Sequence, residues 1–315
     1  MPADPALPGL VPSRRLAVLV LNWRSGPDTV ACVRAVEGWR RLRPTVWVVD
    51  NASGDGSAEL VRAACPGARL IAAEVNRGFA GGNNLALVPA LEDGADFVLL
   101  LNNDAAVEEA TVVRLLASLE ADSTLGLVGP LLLDEHEGAG RLSAGGRDIA
   151  RHVVSHVPGE AAQAESRADG LVLRAVEYVP GTVVLIRADT LRAVGLLDEA
   201  YFFGGELADL CTRARDLGYG SAVDLEARAT HSLDRSSLLR DRLHAYYILR
   251  NRFLYIRKFR PRNHRLLYAG WIAYGAGLVV ANLLRGRPLT ARALGLGLVD
   301  GVRGRFGGQN DRVLA

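Results

Sequence analysis

The sequence has only three cysteines and a single lysine among its 315 residues. Cys32, Cys65 and Cys211 are odd in number, widely separated and never part of a CxxC pair. A disulfide framework is therefore disfavoured, and a reducing compartment fits better. Three common nucleotide-binding signatures are also missing. No GxGxxG follows the first apolar run, which argues against a nicotinamide or flavin Rossmann site. No GxxxxGK with a following Ser or Thr occurs, which removes a P-loop, and there is no kinase catalytic loop. Residues 1–14 contain four prolines and no apolar stretch, so a flexible lead-in is expected there and not a signal peptide. Without such a signal the sequon at Asn51-Ala52-Ser53 carries little weight as a glycosylation site. No internal repeat is visible.

What is present is a globular composition, 49% apolar and 23% charged, sufficient to bury a core. The net charge of +2 conceals a division. Residues 1–240 hold 23 Arg against 32 acids, whereas residues 241–315 hold 13 Arg and one Lys against three Asp. A mildly acidic body precedes a strongly basic end, which points to an anionic partner for that end.

Leu16–Leu21, Thr45–Val49, Ala68–Ala72, Phe97–Leu101 and Val183–Ile186 are short apolar runs and predict strands. Helices are expected over Pro27–Arg41, Ser57–Ala64, Ala188–Val194 and Leu207–Leu217, a glycine-rich loop over Asn76–Asn84, and an edge hairpin near Arg151–Val157. Such alternation implies a parallel sheet with helices on both faces. Ligands of these sheets sit outside the carboxyl ends of the strands. Three of those ends carry polar clusters: Asn22, Asp50-Asn51 and Asn102-Asn103-Asp104. Asp50 can accept a hydrogen bond from a nucleobase, and Asn22 is placed for similar work. In the loop, glycines permit close backbone approach and Arg77 can meet phosphate oxygens; a tight turn capped by Asn83 is the plainer alternative. Asp104 can hold a divalent cation whose other ligands are phosphates, or cap a helix over Ala105–Glu120. His152 and His156 have ligand-like spacing, but their strand-like setting argues against zinc.

Taken in order, the stretches LAVLVLNWR (16–24), VVDNASGDGS (48–57), NRGFAGGNN (76–84), FVLLLNNDA (97–105), VPGTVVLIR (179–187), GLLDEAYFF (195–203) and DLCTRARDLGY (209–219) resemble the family-2 glycosyltransferases with the GT-A fold, particularly the rhamnosyltransferase-like branch. The resemblance runs from about residue 16 to 260. It implies an α/β GT-A domain over 15–240, with a mostly parallel mixed sheet. It also implies an inverting transfer from a nucleoside diphosphate sugar, possibly of rhamnose in that branch, assisted by Mg²⁺ or Mn²⁺. By position, Asp50 matches the base-binding aspartate. Asn76, Arg77, Gly78, Asn83 and Asn84 match the lining of the diphosphate-sugar pocket. Asn102-Asn103-Asp104 takes the place of the metal-binding Asp-x-Asp, with Asp104 as the metal ligand, and His231 matches a histidine that completes the metal site. One departure concerns the catalytic base. The second acid usually found two residues before DLC is Leu207 here. Glu206 is the nearest substitute for a group that must deprotonate an acceptor hydroxyl, and Asp209 the next; both also read as acids complementing a helix N-terminus. Leu207 keeps open a catalytically inactive sugar-nucleotide-binding or scaffold protein. A nucleotidyltransferase is less favoured, because its usual glycine- and arginine-rich loop is missing.

The end of the chain differs in kind. Residues 250–265 hold seven basic side chains and no acid, interleaved with Phe253, Tyr255 and Phe259; Leu266–Leu284 is then uncharged. That length just suffices to span a bilayer, but its glycines, tyrosines, tryptophan and asparagine suit a helix lying in the interface better. A buried soluble helix also stays open. The expectation is a basic, helical, membrane-associating region over 241–315, meeting an anionic membrane surface through 250–284 at the cytoplasmic face of the cell membrane. A saccharide or lipid-linked saccharide acceptor follows from the resemblance and from this region; no nucleic-acid partner is expected.

Overall fold

Strands and helices alternate from the start of the computed structural model, which describes residues 14–136, 139–159, 166–168, 171–232 and 238–315. The expected lead-in lies almost wholly outside the described residues. The first half comprises β1 (Leu16–Asn22), α1 (Gly26–Glu37), β2 (Thr45–Asp50), α2 (Ser57–Ala64), β3 (Arg69–Ala72), α3 (Gly78–Glu92), β4 (Phe97–Asn102), β5 (Ala105–Val107) and α4 (Glu109–Ala121). There follow β6 (Leu125–His136), β7 (Ala139–Gly146), β8 (His156–Pro158), β9 (Ser166–Ala168), β10 (Leu171–Ala175), β11 (Val183–Arg187), α5 (Ala188–Val194), α6 (Glu206–Asp216) and β12 (Gly220–Ser232). Helices α7 (Leu238–Phe259), α8 (His264–Leu284), α9 (Pro288–Arg303) and α10 (Asn310–Leu314) complete the chain.

The main sheet runs β3-β2-β1-β4-β11-β6-β12-β10-β9. β3, β2, β1 and β4 are parallel, β11 is antiparallel to both its neighbours, and β6 pairs parallel with β12. This is the mixed α/β architecture expected. Side chains alternate across the pleat. Leu16, Val18 and Val20 of β1 pack with α1, α2 and α4 on one face, while Ala17 and Leu19 join α3, α6 and α7 on the other. Strands buried on both faces read as unbroken apolar runs, which is why they were legible.

Three expectations need correction. The glycine-rich stretch is mostly helix: α3 starts at Gly78, so Asn83 lies inside it and not at its cap. Its glycines allow close packing, since a Cβ on Gly82 would meet Leu21 Cδ1 at 2.6 Å. No helix follows Asp104 directly; β5 intervenes and pairs with β12. Finally, the basic C-terminal segment is largely part of the body. Leu249, Phe253, Tyr255, Ile256, Trp271 and Leu294 belong to the same core as the sheet. Four of the seven cations counted in 250–265 have internal partners. Arg250 and Arg252 are buried and donate to backbone carbonyls, Lys258 meets Asp198 and Asp209, and Arg260 meets Asp148. A helix of alternating bulky apolar and basic residues turns its cations inward where carbonyls and carboxylates await them. In the 151–157 stretch the strand begins only at His156, pairing with β7.

Candidate active site

The carboxyl ends of β1, β2 and β4 open on one cavity of about 280 Å³. It brings together six residues expected from the sequence: Asn51, Asn76, Gly78, Asn102, Asn103 and Asp104. Asn51 ties β2 to α3, donating from Nδ2 to the Gly78 carbonyl at 2.9 Å and accepting from the Arg77 N–H at 2.9 Å. Gly78 itself has φ +68°, and a Cβ there would lie 2.2 Å from the Phe202 carbonyl oxygen. Only glycine fits that turn.

Asn22 and Asp50 sit one layer beneath the cavity lining. Asn22 is fully buried; its Nδ2 donates to Asp50 Oδ1 at 2.7 Å and to Ser53 Oγ at 3.1 Å, and its Oδ1 accepts from Thr29 Oγ1 at 2.8 Å. Those bonds occupy its amide, so Asn22 orients Asp50. The Asp50 carboxylate also accepts from the Ser53 N–H at 3.1 Å. Asn83 and Asn84 do not line the cavity. Asn83 bonds to the carbonyl of Phe79 in its own helix, and Asn84 bonds to Leu197 and Glu199. Because this stretch is helical, both amides turn away from the strand ends, and Asn84 fastens the 195–199 segment instead. Arg77 is half exposed, 4.0 Å from Glu199.

At the other side of the strand ends, His231 Nε2 lies 3.3 Å from Asp104 Oδ1, and its Nδ1 lies 2.9 Å from Asp134 Oδ1. Burial disfavours charge on the ring, but hydrogen bonds to Asp104 and Asp134 outweigh it and raise the pKa to about 9. A cation bound at Asp104 would need neutral imidazole at Nε2, with Asp134 orienting the ring through Nδ1–H, a usual outer-shell pattern. Among the described residues no group of three His, Cys, Asp or Glu could hold a metal. Two protein ligands suit a cation completed by substrate phosphates and do not suit a structural zinc site. His152 and His156 do not form a ligand pair; they contact the Asp148 carbonyl and Ser143.

A second cavity, about 790 Å³, shares Phe79, Asn102 and Phe203 with the first. Glu206 faces it. Gly204 and Gly205, with φ +80° and +102°, turn the chain so that Glu206 begins α6 at the cavity wall. Its side chain is buried, and Oε2 has no hydrogen-bond partner among the described residues. Burial outweighs backbone hydrogen bonds at Glu206 and Gly204 and pushes its pKa up to about 7. Asp209, one turn on, is fully buried between Arg213 at 2.5 Å and Lys258; its carboxylate joins α6 to α7. Leu207 packs against Gly181 in the wall of the second cavity.

Sequence reasoning missed part of the first cavity: Trp23, Arg24, Phe202, Phe203, Tyr247 and Asn310. Phe202, at φ +63°, stacks on Tyr247 with centroids 5.1 Å apart. The run EAYFF held a signal only through its aromatic pair. Nothing local marks Asn310, which reaches the cavity through tertiary packing.

Residues 18–142 match the family model described as glycosyl transferase family 2. The chain is 28% identical over 281 residues to galactofuranosyltransferase GlfT1 of Mycobacterium tuberculosis, covering 82% of this chain and 86% of that protein. It is 29% identical over 232 residues to the pre-mycofactocin glycosyltransferase of the same species, covering 73% of this chain and 45% of that one. Among solved structures it resembles a mannosyltransferase from Pyrobaculum calidifontis in complex with GDP-Man and Mn²⁺. The TM-score is 0.58 at 18% identity, over 93% of this chain and 89% of that one. It also resembles GalNAc-T7 with UDP, GalNAc and Mn²⁺, with a TM-score of 0.57 at 14% identity, over 78% and 48%.

Proposed function

We propose that this chain, whose fold is that of the GT-A transferases and whose residues 18–142 match glycosyl transferase family 2, is a glycosyltransferase of that family that transfers a hexosyl group, with inversion, from a nucleoside diphosphate sugar to a saccharide hydroxyl at a membrane surface. The observation that carries this is the meeting of two cavities at Asn102, Phe79 and Phe203. One is lined by strand-end amides and Asp104, the other by a buried carboxylate of near-neutral pKa. The donor lies in the first, its diphosphate towards Asp104, and the acceptor enters the second. Glu206 takes the acceptor proton as the oxygen attacks the anomeric carbon and the nucleoside diphosphate leaves. A base with a pKa near the working pH combines a populated carboxylate with useful basicity. A divalent cation held by Asp104 and His231 would offset charge on the leaving diphosphate. Asn51 holds the start of α3 against that site, and Asn22 keeps Asp50 oriented. Rhamnosyl and galactofuranosyl donors are the two first choices, from the motif resemblance and from the names of the relatives.

The membrane part of the reading is supported by α8. Its most apolar window is 11% buried, and it exposes Leu266, Ile272, Val280, Leu283 and Leu284. Exposed Arg262 and Arg265 precede that face and Arg285 and Arg287 follow it, and no acid occurs between Asp241 and Asp300. An apolar helix side bounded by cations suits the anionic cytoplasmic leaflet, where a lipid-linked acceptor is presented.

Thermal-shift screening of UDP-, GDP- and dTDP-sugars with Mn²⁺, followed by transfer to a lipid-linked disaccharide, tests the proposal. Donor binding stabilises the fold by mass action. A chain that binds a donor but turns it over with no acceptor, and gains activity on Leu207→Asp, would favour a scaffold role over catalysis.

A further inference from the structure

The first cavity has a second wall that lies outside the residues matching the family model, and it is built by the end of the chain. Tyr247 and Leu243 of α7, Phe202, Phe203 and Asn310 form it, facing the strand-end amides. The tail is fastened there by several independent bonds. The Gly307 N–H donates to the Ala200 carbonyl at 2.8 Å, and buried Arg250 donates to the carbonyls of Gly307, Ala200 and Tyr201. The Gln309 N–H donates to the Tyr247 hydroxyl at 2.8 Å, and Val313 is buried. A Cβ on Gly308 would come within 2.8 Å of the Phe202 ring, so the tail passes close against this aromatic.

These bonds fix the direction of one amide. The Tyr247 hydroxyl donates to Asn310 Oδ1 at 2.7 Å. With Oδ1 so engaged, the amide cannot flip without losing that bond, and its Nδ2 group, which has no hydrogen-bond partner among the described residues, is the free donor of a cavity-lining side chain. The rest of this wall is leucine and aromatic rings. An oriented N–H donor in an otherwise apolar wall discriminates among ligands, because a ligand that cannot accept its bond leaves it unsatisfied.

We propose that Asn310, oriented by Tyr247, is a specificity-determining residue that donates to a carbonyl or hydroxyl oxygen of the sugar-nucleotide donor. This rests on the first cavity being the donor site. The opposite wall supplies amides and a carboxylate common to many donors; the tail wall supplies the contact that depends on donor identity.

The test uses the full chain with Mn²⁺ and the member of a UDP-, GDP- and dTDP-sugar panel that the wild type binds most tightly, together with its free nucleoside diphosphate. Asn310→Ala is expected to weaken the sugar nucleotide about three- to tenfold, the range of one neutral hydrogen bond. Asn310→Asp is expected to weaken it further, since a carboxylate cannot donate and repels the diphosphate. Both should still unfold in a single cooperative thermal transition without ligand, which separates lost binding from lost folding. Tyr247→Phe keeps the stack on Phe202 but releases the amide, and should give an intermediate loss with a flattened preference across the panel. Equal losses for the sugar nucleotide and the free diphosphate locate the accepting oxygen on the nucleotide; a loss for the sugar nucleotide alone locates it on the sugar. Affinities within twofold of wild type for both Asn310 variants, with panel order unchanged, overturn the proposal. A wild type that binds no member of the panel overturns the donor-site reading itself, and this one with it.

Discussion

Replacing Glu206 by Gln separates the catalytic from the structural consequences of burying a carboxylate. Its pKa is raised from 4.5 to about 7, with burial as the largest cause. As pH rises from about 4.5 to 7, the unfolded chain gives up this proton while the folded chain keeps it, so stability falls through that window and levels off above it. At about 1.4 kcal/mol per unit, the cost above pH 7 is about 3 kcal/mol. Gln does not titrate. Glu206→Gln should therefore unfold in urea at a higher midpoint than the wild type at pH 8, by about 3 kcal/mol, and at nearly the same midpoint at pH 4.5. Its transfer rate should fall by about 10²–10⁴, the usual worth of a general base, with donor affinity nearly unchanged. The wild-type rate should rise with pH through about 7 as the carboxylate forms. Two results would refute the reasoning: stability curves of the two proteins that stay parallel from pH 4.5 to 8, or a variant that transfers within threefold of the wild type.

Asp104→Ala should remove the effect of EDTA on donor affinity along with nearly all transfer; a wild-type affinity already indifferent to EDTA would sink the cation's role. Asp209→Asn leaves Arg213 and Lys258 facing a neutral amide and should cost about 2–4 kcal/mol in urea unfolding, while the folded fraction keeps its kcat; a kcat loss beyond that of Glu206→Gln would move the base to Asp209. Replacing Leu266, Ile272, Leu283 and Leu284 together by Asn should abolish co-sedimentation with anionic vesicles at low salt and leave the unfolding transition in place, because all four side chains face outward. Vesicle binding equal to that of the wild type would remove α8 from the membrane reading.

The core of this fold was legible because β1, β2, β4 and β11 are buried on both faces, and such strands announce themselves as unbroken apolar runs. Asn51, Asn102, Asn103 and Asp104 were legible for a related reason: a strand that stops at a polar cluster marks the ligand edge of a parallel sheet. Asn83 and Asn84 carry no reliable signal because glycine richness suggests a loop, whereas Gly78, Gly81 and Gly82 serve close packing at the start of a helix. The cations of α7 read as solvent-facing because sequence gives charge but not the carbonyls of Ile149, His152, Val153, Ala200 and Tyr201 that receive it. Asp134, Tyr247 and Asn310 carry no local signal, since each reaches the site through a contact at least 60 residues distant in the chain.

The tail wall also bears on synthesis. The chain emerges from the ribosome amino end first, and at about 5–20 residues per second roughly ten to thirty seconds separate Leu142 from Asn310. During that interval the strands carrying Asn51, Asn102 and Asp104 can pair, but the cavity they border stands open on the side of Phe202, with Arg250 and Tyr247 not yet in place. A nascent chain of this protein thus closes its first cavity only when the last few residues described are in place, and a product terminated before α10 leaves that cavity open on the side of Phe202.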